Sequence, residues 1–521
     1  MQTGKQRSDR MIETLLTPGL NTESTSPLNE QLMALLQEAI LKGHIRAGDR
    51  LPASRAMAAR LAISRNTVLA AYDQLTAEGY LESRTGSGTF VSSDLPDAYM
   101  QAGTPEVAPT RAPKHTAEPG RPLAGMPALD QFPFNLWGRL SGSVWRRAST
   151  RELQHNDPAG YRSLREAIAT YLQAARGVSA TPDQIMITTG LQQGLRFVAD
   201  SIIPQDRAII LEDPGYGGLR KTAMHLPHPV TYTGLDDHGA MVPQGDTEKG
   251  TDPNLGKDGS ALTESAETGD QMGTTKCAPV CPNSPAPGLL LITPSRQYPL
   301  GHTMPLSRRL ELLEWAKATG AYIVEDDYDS EFRYAGRPVQ SLQGLDQHGS
   351  VIYGGSFSKS LFLSLRIGYL ILPQAVAETV IRHRERTESF PPLGDQMVLT
   401  RFIEEGHFAR HLRKLRALHK VRLDAFMAAA ESHLASFFHF VATDAGLHVV
   451  AFADPRLAKV SDADLARAAH RAGVGAVPLS GTYVQAVKRM GLLFGFANIP
   501  EAEIDKRLEA LRRNILEITG F

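Results

Sequence analysis

Cysteine is nearly absent: the 521 residues hold two, Cys277 and Cys281. Two thiols exclude a disulfide framework and fit a reducing compartment, so a cytoplasmic location is expected. The pair stands in Cys277-Ala-Pro-Val-Cys281 without a second Cys or His pair, an incomplete zinc pattern, and no metal site is expected. Long apolar runs are missing too, and nothing approaches the roughly 20 residues of a membrane span. No membrane partner is expected. Residues 1–26 are polar, lack the apolar centre of a signal peptide and read as a disordered tail. An excess of charge is also lacking: 55 Lys+Arg offset 56 Asp+Glu. Charge balance alone therefore points to neither nucleic acid nor anionic lipid. What is present, 42% apolar and 21% charged residues, suits a globular chain with a large core. Its length predicts two or three domains.

Residues 27–92 carry a compact pattern. Leu28, Leu32, Leu35, Leu36 and Ile40 recur at helical spacing and stop at Gly43. A second short helix follows Leu51-Pro52, with Ser54 as its expected cap and Arg55 at its start. After a turn at Ala62-Ile63, Ser64 is read as the cap of a third helix through Thr67, Val68, Ala71, Tyr72 and Leu75. Residues 80–83 and 89–91 read as strands joined by Arg84-Thr-Gly-Ser-Gly88. Three helices and a hairpin describe a winged helix-turn-helix, whose second motif helix enters the major groove of double-stranded DNA. Ser64, Arg65, Asn66 and Thr67 would then reach base edges. Arg55 would lie nearby, and Gly86 and Gly88 would let the wing approach phosphates. Seven Lys+Arg against six Asp+Glu over this segment leave room for an ordinary helical domain with surface arginines. The stretches Leu51-Pro-Ala-Ser-Arg55, Ser64-Arg-Asn-Thr-Val68, Glu78-Gly-Tyr-Leu81 and Gly86-Ser-Gly-Thr-Phe90 closely resemble the GntR-type DNA-binding domain, which favours DNA.

Seven prolines between Ser93 and Leu129, without periodic apolar residues, mark 93–129 as a semi-extended linker. From about 130 to 390, short apolar runs alternate with helical patterns and end in polar loops. Ile185–Ile187 leads into Thr188-Thr-Gly190-Leu191-Gln192-Gln193, and Ala208–Leu211 into Glu212-Asp-Pro-Gly-Tyr216. Leu289–Ile292 leads into Thr293-Pro-Ser-Arg296, and Ala321–Val324 into Glu325-Asp326-Asp-Tyr328. This predicts a central, mostly parallel α/β sheet with its site at the carboxyl ends of the strands. Residues 237–287, rich in Gly, Ser, Thr, Pro and acids, read as a disordered insertion. Residues 391–521 turn helical and then add strands, as expected of a smaller α+β domain.

Val351-Ile-Tyr353 runs into Gly354-Gly-Ser356-Phe-Ser358-Lys359-Ser360, followed by Arg366 and Gly368. A lysine on such a turn, partly desolvated, suits a Schiff base with an aldehyde, the usual attachment of pyridoxal 5'-phosphate. Ser356, Ser358, Arg366 and the helix start at Gly190-Leu191-Gln192 suit its phosphate. Asp326 suits a pyridinium N–H, Tyr328 the ring's phenolic oxygen, and Tyr216 a stacked ring face. Singly, an exposed lysine, a helix cap or a core tyrosine would be the plainer readings. Their shared position at strand ends outweighs these.

The runs Glu325-Asp-Asp-Tyr-Asp-Ser-Glu-Phe-Arg-Tyr334, Gly355-Ser-Phe-Ser-Lys-Ser360 and Leu365-Arg-Ile-Gly-Tyr369 resemble the MocR subfamily of GntR regulators. Those proteins fuse a winged helix to a fold-type-I aminotransferase-like domain. The resemblance implies Lys359 as the cofactor lysine, Asp326 as the pyridine-nitrogen partner, Tyr328 as the phenolate-oxygen partner, Arg366 on the phosphate and Tyr216 on the ring. It further implies a head-to-tail homodimer, and a small amine, an amino acid or pyridoxal phosphate itself as effector. There are departures. The arginines that grip an effector carboxylate in the GABA-responsive member are replaced here by Gly218 and, near the second position, Gly481. Gly495-Phe-Ala-Asn498 lacks the arginine with which ordinary aminotransferases hold a carboxylate, and Arg296 stands where histidine is usual. Arg296 is either an effector-binding anion ligand or a surface charge. The expected function is regulation rather than turnover; the alternative is a working aminotransferase with an appended DNA-binding domain.

Overall fold

The computed structural model describes residues 20–21, 26–84, 86–93, 124–154, 157–243, 285–336, 340–485 and 489–520. Most of the tail, the linker up to residue 123, and residues 244–284 of the insertion, with Cys277 and Cys281, lie outside the described residues. The chain divides into two compact units, 1–116 and 117–521.

In the first unit, α1 (Leu28–Leu41), α2 (Ser54–Leu61) and α3 (Arg65–Ala77) precede β1 (Leu81–Arg84) and β2 (Gly88–Val91). Each helix turns one apolar stripe inward. Leu32, Leu36 and Ile40 of α1 meet Met57 and Leu61 of α2 and Val68, Tyr72 and Leu75 of α3 in one core, which Leu81 and Val91 of the hairpin close. The hairpin is antiparallel and pairs Leu81 with Val91 and Arg84 with Gly88. One expectation needs correcting. Ala53, not Ser54, holds the cap position of α2. Ser54 is the first helical residue, and its Oγ instead accepts a hydrogen bond from Arg65 Nε at 3.3 Å, tying the two motif helices together.

The second unit is built on an eight-stranded sheet of order β3-β10-β9-β8-β7-β4-β5-β6. Its strands are β3 (Ile185–Thr188), β4 (Ala208–Asp213), β5 (Val230–Asp236), β6 (Gly239–Ala240), β7 (Pro287–Ile292), β8 (Tyr322–Asp327), β9 (Val351–Ser356) and β10 (Gly368–Ile371). β9, β8, β7, β4 and β5 are mutually parallel. β10 runs antiparallel to both its neighbours, β3 and β9. The central strands are apolar on both faces because both are covered. Ile209, Leu211, Leu289 and Leu291 pack with Leu195 and Val198 of the helix Leu191–Ile202. Ile210, Leu290 and Ile323 pack with Leu312 and Ala316 of the helix Leu306–Thr319 on the other side.

A second, antiparallel sheet has the order β11-β12-β14-β13, formed by β11 (Phe438–Phe440), β12 (His448–Ala453), β13 (Gly475–Pro478) and β14 (Gly491–Gly495). It packs with the long helix His407–Leu434 and the last helix, Glu501–Thr519, through Phe426, Phe494, Leu508 and Ile515.

Three boundaries differ from the sequence reading. The strands run two or three residues further: β4 includes Glu212-Asp213, β8 includes Glu325–Asp327, and β9 includes Gly354–Ser356. The edges of the insertion are ordered strand, since Gly239 and Ala240 pair with Asp236 and Leu235 and Pro287 opens β7. The last residues of the linker are packed: Gly125 to Ala128 are buried, and the Ala128 N–H donates to His419 Nε2 at 3.2 Å.

Candidate functional site

In the first unit, Ser64 caps α3 by accepting the Thr67 N–H at 3.1 Å. The turn before it holds Ala62 at φ 53°. Arg55, Ser64, Arg65 and Asn66 are exposed around this helix start and Thr67 is half-buried. The hairpin presents Gly86 and Gly88, both exposed and both at positive φ. A Cβ on Gly88 would lie 2.9 Å from Arg50 Nε. Glycine there lets Arg50 pack close beneath the hairpin, an arrangement without a signal in the residue pattern. A helix start rich in donors suits a DNA groove, and an exposed glycine hairpin tip suits its flanking phosphates.

In the second unit, strand order assembles the site. Neighbouring strands put Thr188 beside Gly368, Gly368 beside Ser356, and Gly354 beside Asp326. Residues just beyond these positions therefore share one edge of the sheet. Gly190, Leu191, Gln192, Tyr216, Asp326, Tyr328, Ser356, Ser358, Lys359 and Arg366 all line a single cavity of about 340 Å³.

The turn that carries Lys359 is anchored by buried Phe357 and by the Ser358 N–H, which donates to Ser356 Oγ at 3.1 Å. Burial holds the Lys359 ammonium below its ordinary pKa, against the opposing charges of Asp329 and Asp326. Its Nζ donates to the Gly125 carbonyl at 2.8 Å. Asp326 is treated differently from the acids on either side of it. Glu325 accepts the N–H groups of Leu342 and Gln343 at 2.9 Å each. Asp327 accepts from Arg176 Nε at 2.9 Å and from the Tyr353 hydroxyl. Asp326 faces the cavity, and its pKa is pushed up to about 8, first by burial and then by Asp327, Glu212 and Asp329. Such a carboxyl is matched by an N–H of a ligand that carries positive charge.

On the other side of β10, Gly190 adopts φ 135°, a conformation open to glycine. It starts the helix Leu191–Ile202, whose first-turn N–H groups have no intrahelical acceptor. The guanidinium of Arg366 lies 3.8–3.9 Å from where a Gly190 Cβ would stand. Arg366 and these N–H groups form a cradle for an anion. The Gln192 side chain is spent elsewhere, donating to Gly218 O at 3.0 Å. Tyr216, 47% exposed, sits edge-on to Tyr298 with ring centroids 5.6 Å apart.

Arg296 is not the surface charge that was one of its two expected roles. It is only 4% exposed, which removes the surface charge, and it does not line the cavity. One nitrogen donates to the Tyr328 hydroxyl at 3.3 Å and to Asp329 at 3.2 Å; the other donates to the His448 carbonyl at 2.9 Å. It supports Tyr328 from behind. The two departures noted in the sequence have a structural side as well. A Cβ on Gly218 would come within 2.6 Å of the Tyr216 ring, so a side chain at this position would displace the tyrosine. The carbonyl of Gly481 accepts Arg220 Nη2 at 3.1 Å.

Sequence reasoning missed the part of the wall drawn from distant segments: Gly125 and Met126, Tyr298, and Leu447, His448, Val477 and Leu493 near the second sheet.

The sequence model for "Bacterial regulatory proteins, gntR family" matches residues 28–91. That for "Aminotransferase class I and II" matches 259–511. The chain is 35% identical over 513 residues to the probable rhizopine catabolism regulatory protein MocR of Rhizobium meliloti, covering 96% of each. It is 30% identical to the pyridoxine biosynthesis transcriptional regulator PdxR of Corynebacterium glutamicum, over 77% of this chain and 79% of the relative. Among solved structures, kynurenine aminotransferase of Pyrococcus horikoshii superposes with a TM-score of 0.60 at 23% identity, covering 76% of this chain and 90% of the enzyme. That likeness establishes the fold. Among the described residues, no helix is long and apolar enough to cross a membrane. The chain belongs to the MocR subfamily of GntR-type transcriptional regulators, with a winged helix ahead of a fold-type-I aminotransferase-like domain.

Proposed function

We propose that this regulator binds pyridoxal 5'-phosphate on Lys359 and uses that site to sense a small amine, an amino acid or pyridoxal phosphate itself. The observation that carries the reading is the convergence of all ten candidate residues on one cavity in a chain that also has a winged helix. When bound, the cofactor supplies an aldehyde that bonds primary amines reversibly and a ring that accepts electrons. The residues fit it. Lys359, its amine kept neutral more readily by burial, would be the nucleophile for the aldehyde. Asp326, its pKa raised to about 8 by burial and neighbouring acids, would hold the pyridinium N–H, whose positive charge would favour the carboxylate. Arg366, Ser356, Ser358 and the N–H groups following Gly190 would hold the phosphate. Tyr328, braced by Arg296, would donate to the ring's phenolic oxygen, and Tyr216 would cover the ring. Arg55, Ser64, Arg65, Asn66 and Thr67 would contact operator DNA, with Gly86 and Gly88 at the phosphates. The relatives named for control of rhizopine catabolism and pyridoxine biosynthesis agree with a regulator of small-molecule metabolism. A head-to-tail homodimer is the proposed assembly.

Lys359→Ala tests the reading. Mixed with pyridoxal phosphate and desalted, the wild type is expected to retain the bound cofactor's near-visible absorbance. The variant should lose it, yet keep most of its affinity for DNA. Absorbance retained by the variant refutes the lysine assignment. The retained lysine and Asp326 also favour a second reading, an aminotransferase with a DNA-binding appendage. Steady turnover of an amino donor with a 2-oxo acid would establish it.

A further inference from the structure

The cavity extends past the residues assigned to the cofactor, and its remaining wall is distinct in character. Leu219, Tyr298, Leu447, Val477 and Leu493 line it. Tyr298, Val477 and Leu493 belong to one apolar cluster with Val450 and Leu479. His448 also lines it, but its nitrogens are engaged: Arg296 Nη1 lies 3.0 and 3.3 Å from them, and Nε2 lies 3.4 Å from Pro299 O. The imidazole therefore offers the cavity mainly carbon. The hydroxyl of Tyr298 is the one uncommitted polar group on this wall among the described residues.

Cations are the deciding feature. Among the described residues, Lys359 and Arg366 are the cationic side chains that line the cavity. Three further arginines in this part of the fold are committed, Arg489 lying over the Phe452 ring with its Cζ 3.4 Å from the centroid. Arg296 is locked to Asp329, Tyr328 and His448. Arg220 donates to the carbonyls of Tyr483 and Gly481 at 3.2 and 3.1 Å. The charged groups otherwise present are the carboxyls of Asp326 and Asp329.

We infer that this wall receives the uncharged, carbon-rich body of a primary amine and discriminates against an amine that carries a carboxylate. The inference rests on the cofactor reading, in which pyridoxal phosphate takes both Lys359 and Arg366. A carboxylate would then be desolvated beside apolar carbon with no free counter-charge, which is strongly unfavourable. An alkyl or aryl body gains from the same burial.

The experiment uses the full chain loaded with pyridoxal phosphate, its absorbance recorded first, and titration calorimetry with two probes. n-Butylamine and 4-aminobutanoate share a four-carbon skeleton and differ in a terminal methyl or carboxylate. n-Butylamine is expected to bind at least about tenfold more tightly. Equal or tighter binding of 4-aminobutanoate, or no binding of n-butylamine, overturns the inference while the absorbance leaves the cofactor reading standing. Failure of any cofactor absorbance to develop overturns the cofactor reading itself. Val477→Lys, at a half-buried position on this wall, supplies the missing cation and should narrow or invert the ratio. A ratio unchanged in a folded variant counts against this wall as the ligand's seat.

Discussion

Asp326 and Lys359 line the same cavity, and burial acts on them in opposite directions, raising the carboxyl to about 8 and lowering the ammonium. For Asp326 the folded protein holds its proton more tightly than the unfolded chain does. Its contribution to stability is therefore fully present below the unfolded value near 4 and is lost as pH rises through about 8. Cofactor-free Asp326→Asn should consequently melt higher than the cofactor-free wild type at pH 9, with the advantage fading toward pH 5. A constant difference across that range, read by thermal unfolding, would contradict the environment assigned to Asp326. Arg296 gives a second test at this scale. Its pair with Asp329 is almost wholly buried, so Arg296→Met leaves a buried carboxylate without its partner and should cost about 3–5 kcal/mol in urea unfolding. A change near zero would show that the pair is solvated. Arg296 also marks where residue reading stopped. That the ten residues around Lys359 come together was legible because each stands at or just past a strand end, and they line one cavity. Whether Arg296 faced a ligand or solvent depended on His448, more than a hundred residues away in the chain.

Helices of the winged unit were legible nearly to the residue, since apolar spacing and the Ser64 cap are local signals. Strand ends in the large sheet were not. Glu212, Asp213, Glu325 and Asp327 look like loop residues, yet they continue strands because partners elsewhere satisfy them: Thr293 for Glu212, Val484 and Gln485 for Asp213, and Arg176 for Asp327. Polar composition signals solvent only when no distant donor arrives. The same connections stitch the segment 213–220 to 481–485, since Gly215 N–H also donates to Thr482 O at 3.1 Å. That seam runs beside Tyr216 and gives the cavity wall a firm edge. For the recognition element, Arg65 is exposed at the start of α3, held by Ser54. Arg65→Ala should weaken specific operator binding by roughly 1–3 kcal/mol, the worth of a bidentate base contact, while binding to random DNA falls far less. Unchanged specific affinity in a fluorescence anisotropy titration would remove Arg65 from the contact set.

At the scale of the whole molecule, each of the two units is built around an interior of its own. The winged helix has its own core, and the aminotransferase-like unit has its own sheets. The division was legible because a proline-rich stretch separates two differently patterned regions. The packed end of that stretch was not, because Gly125 and Ala128 find their partners, Lys359 and His419, more than two hundred residues away. In the proposed function, occupancy of the Lys359 site controls DNA binding. The most direct measurement is the affinity of the full chain for a DNA site it selects from random sequence, with and without pyridoxal phosphate, for the wild type and for Lys359→Ala. Wild-type affinity is expected to change with the cofactor, or with an amine added to the cofactor-bound protein, while the variant binds DNA without responding to either. Selection of no site, or a variant that responds as the wild type does, would contradict it.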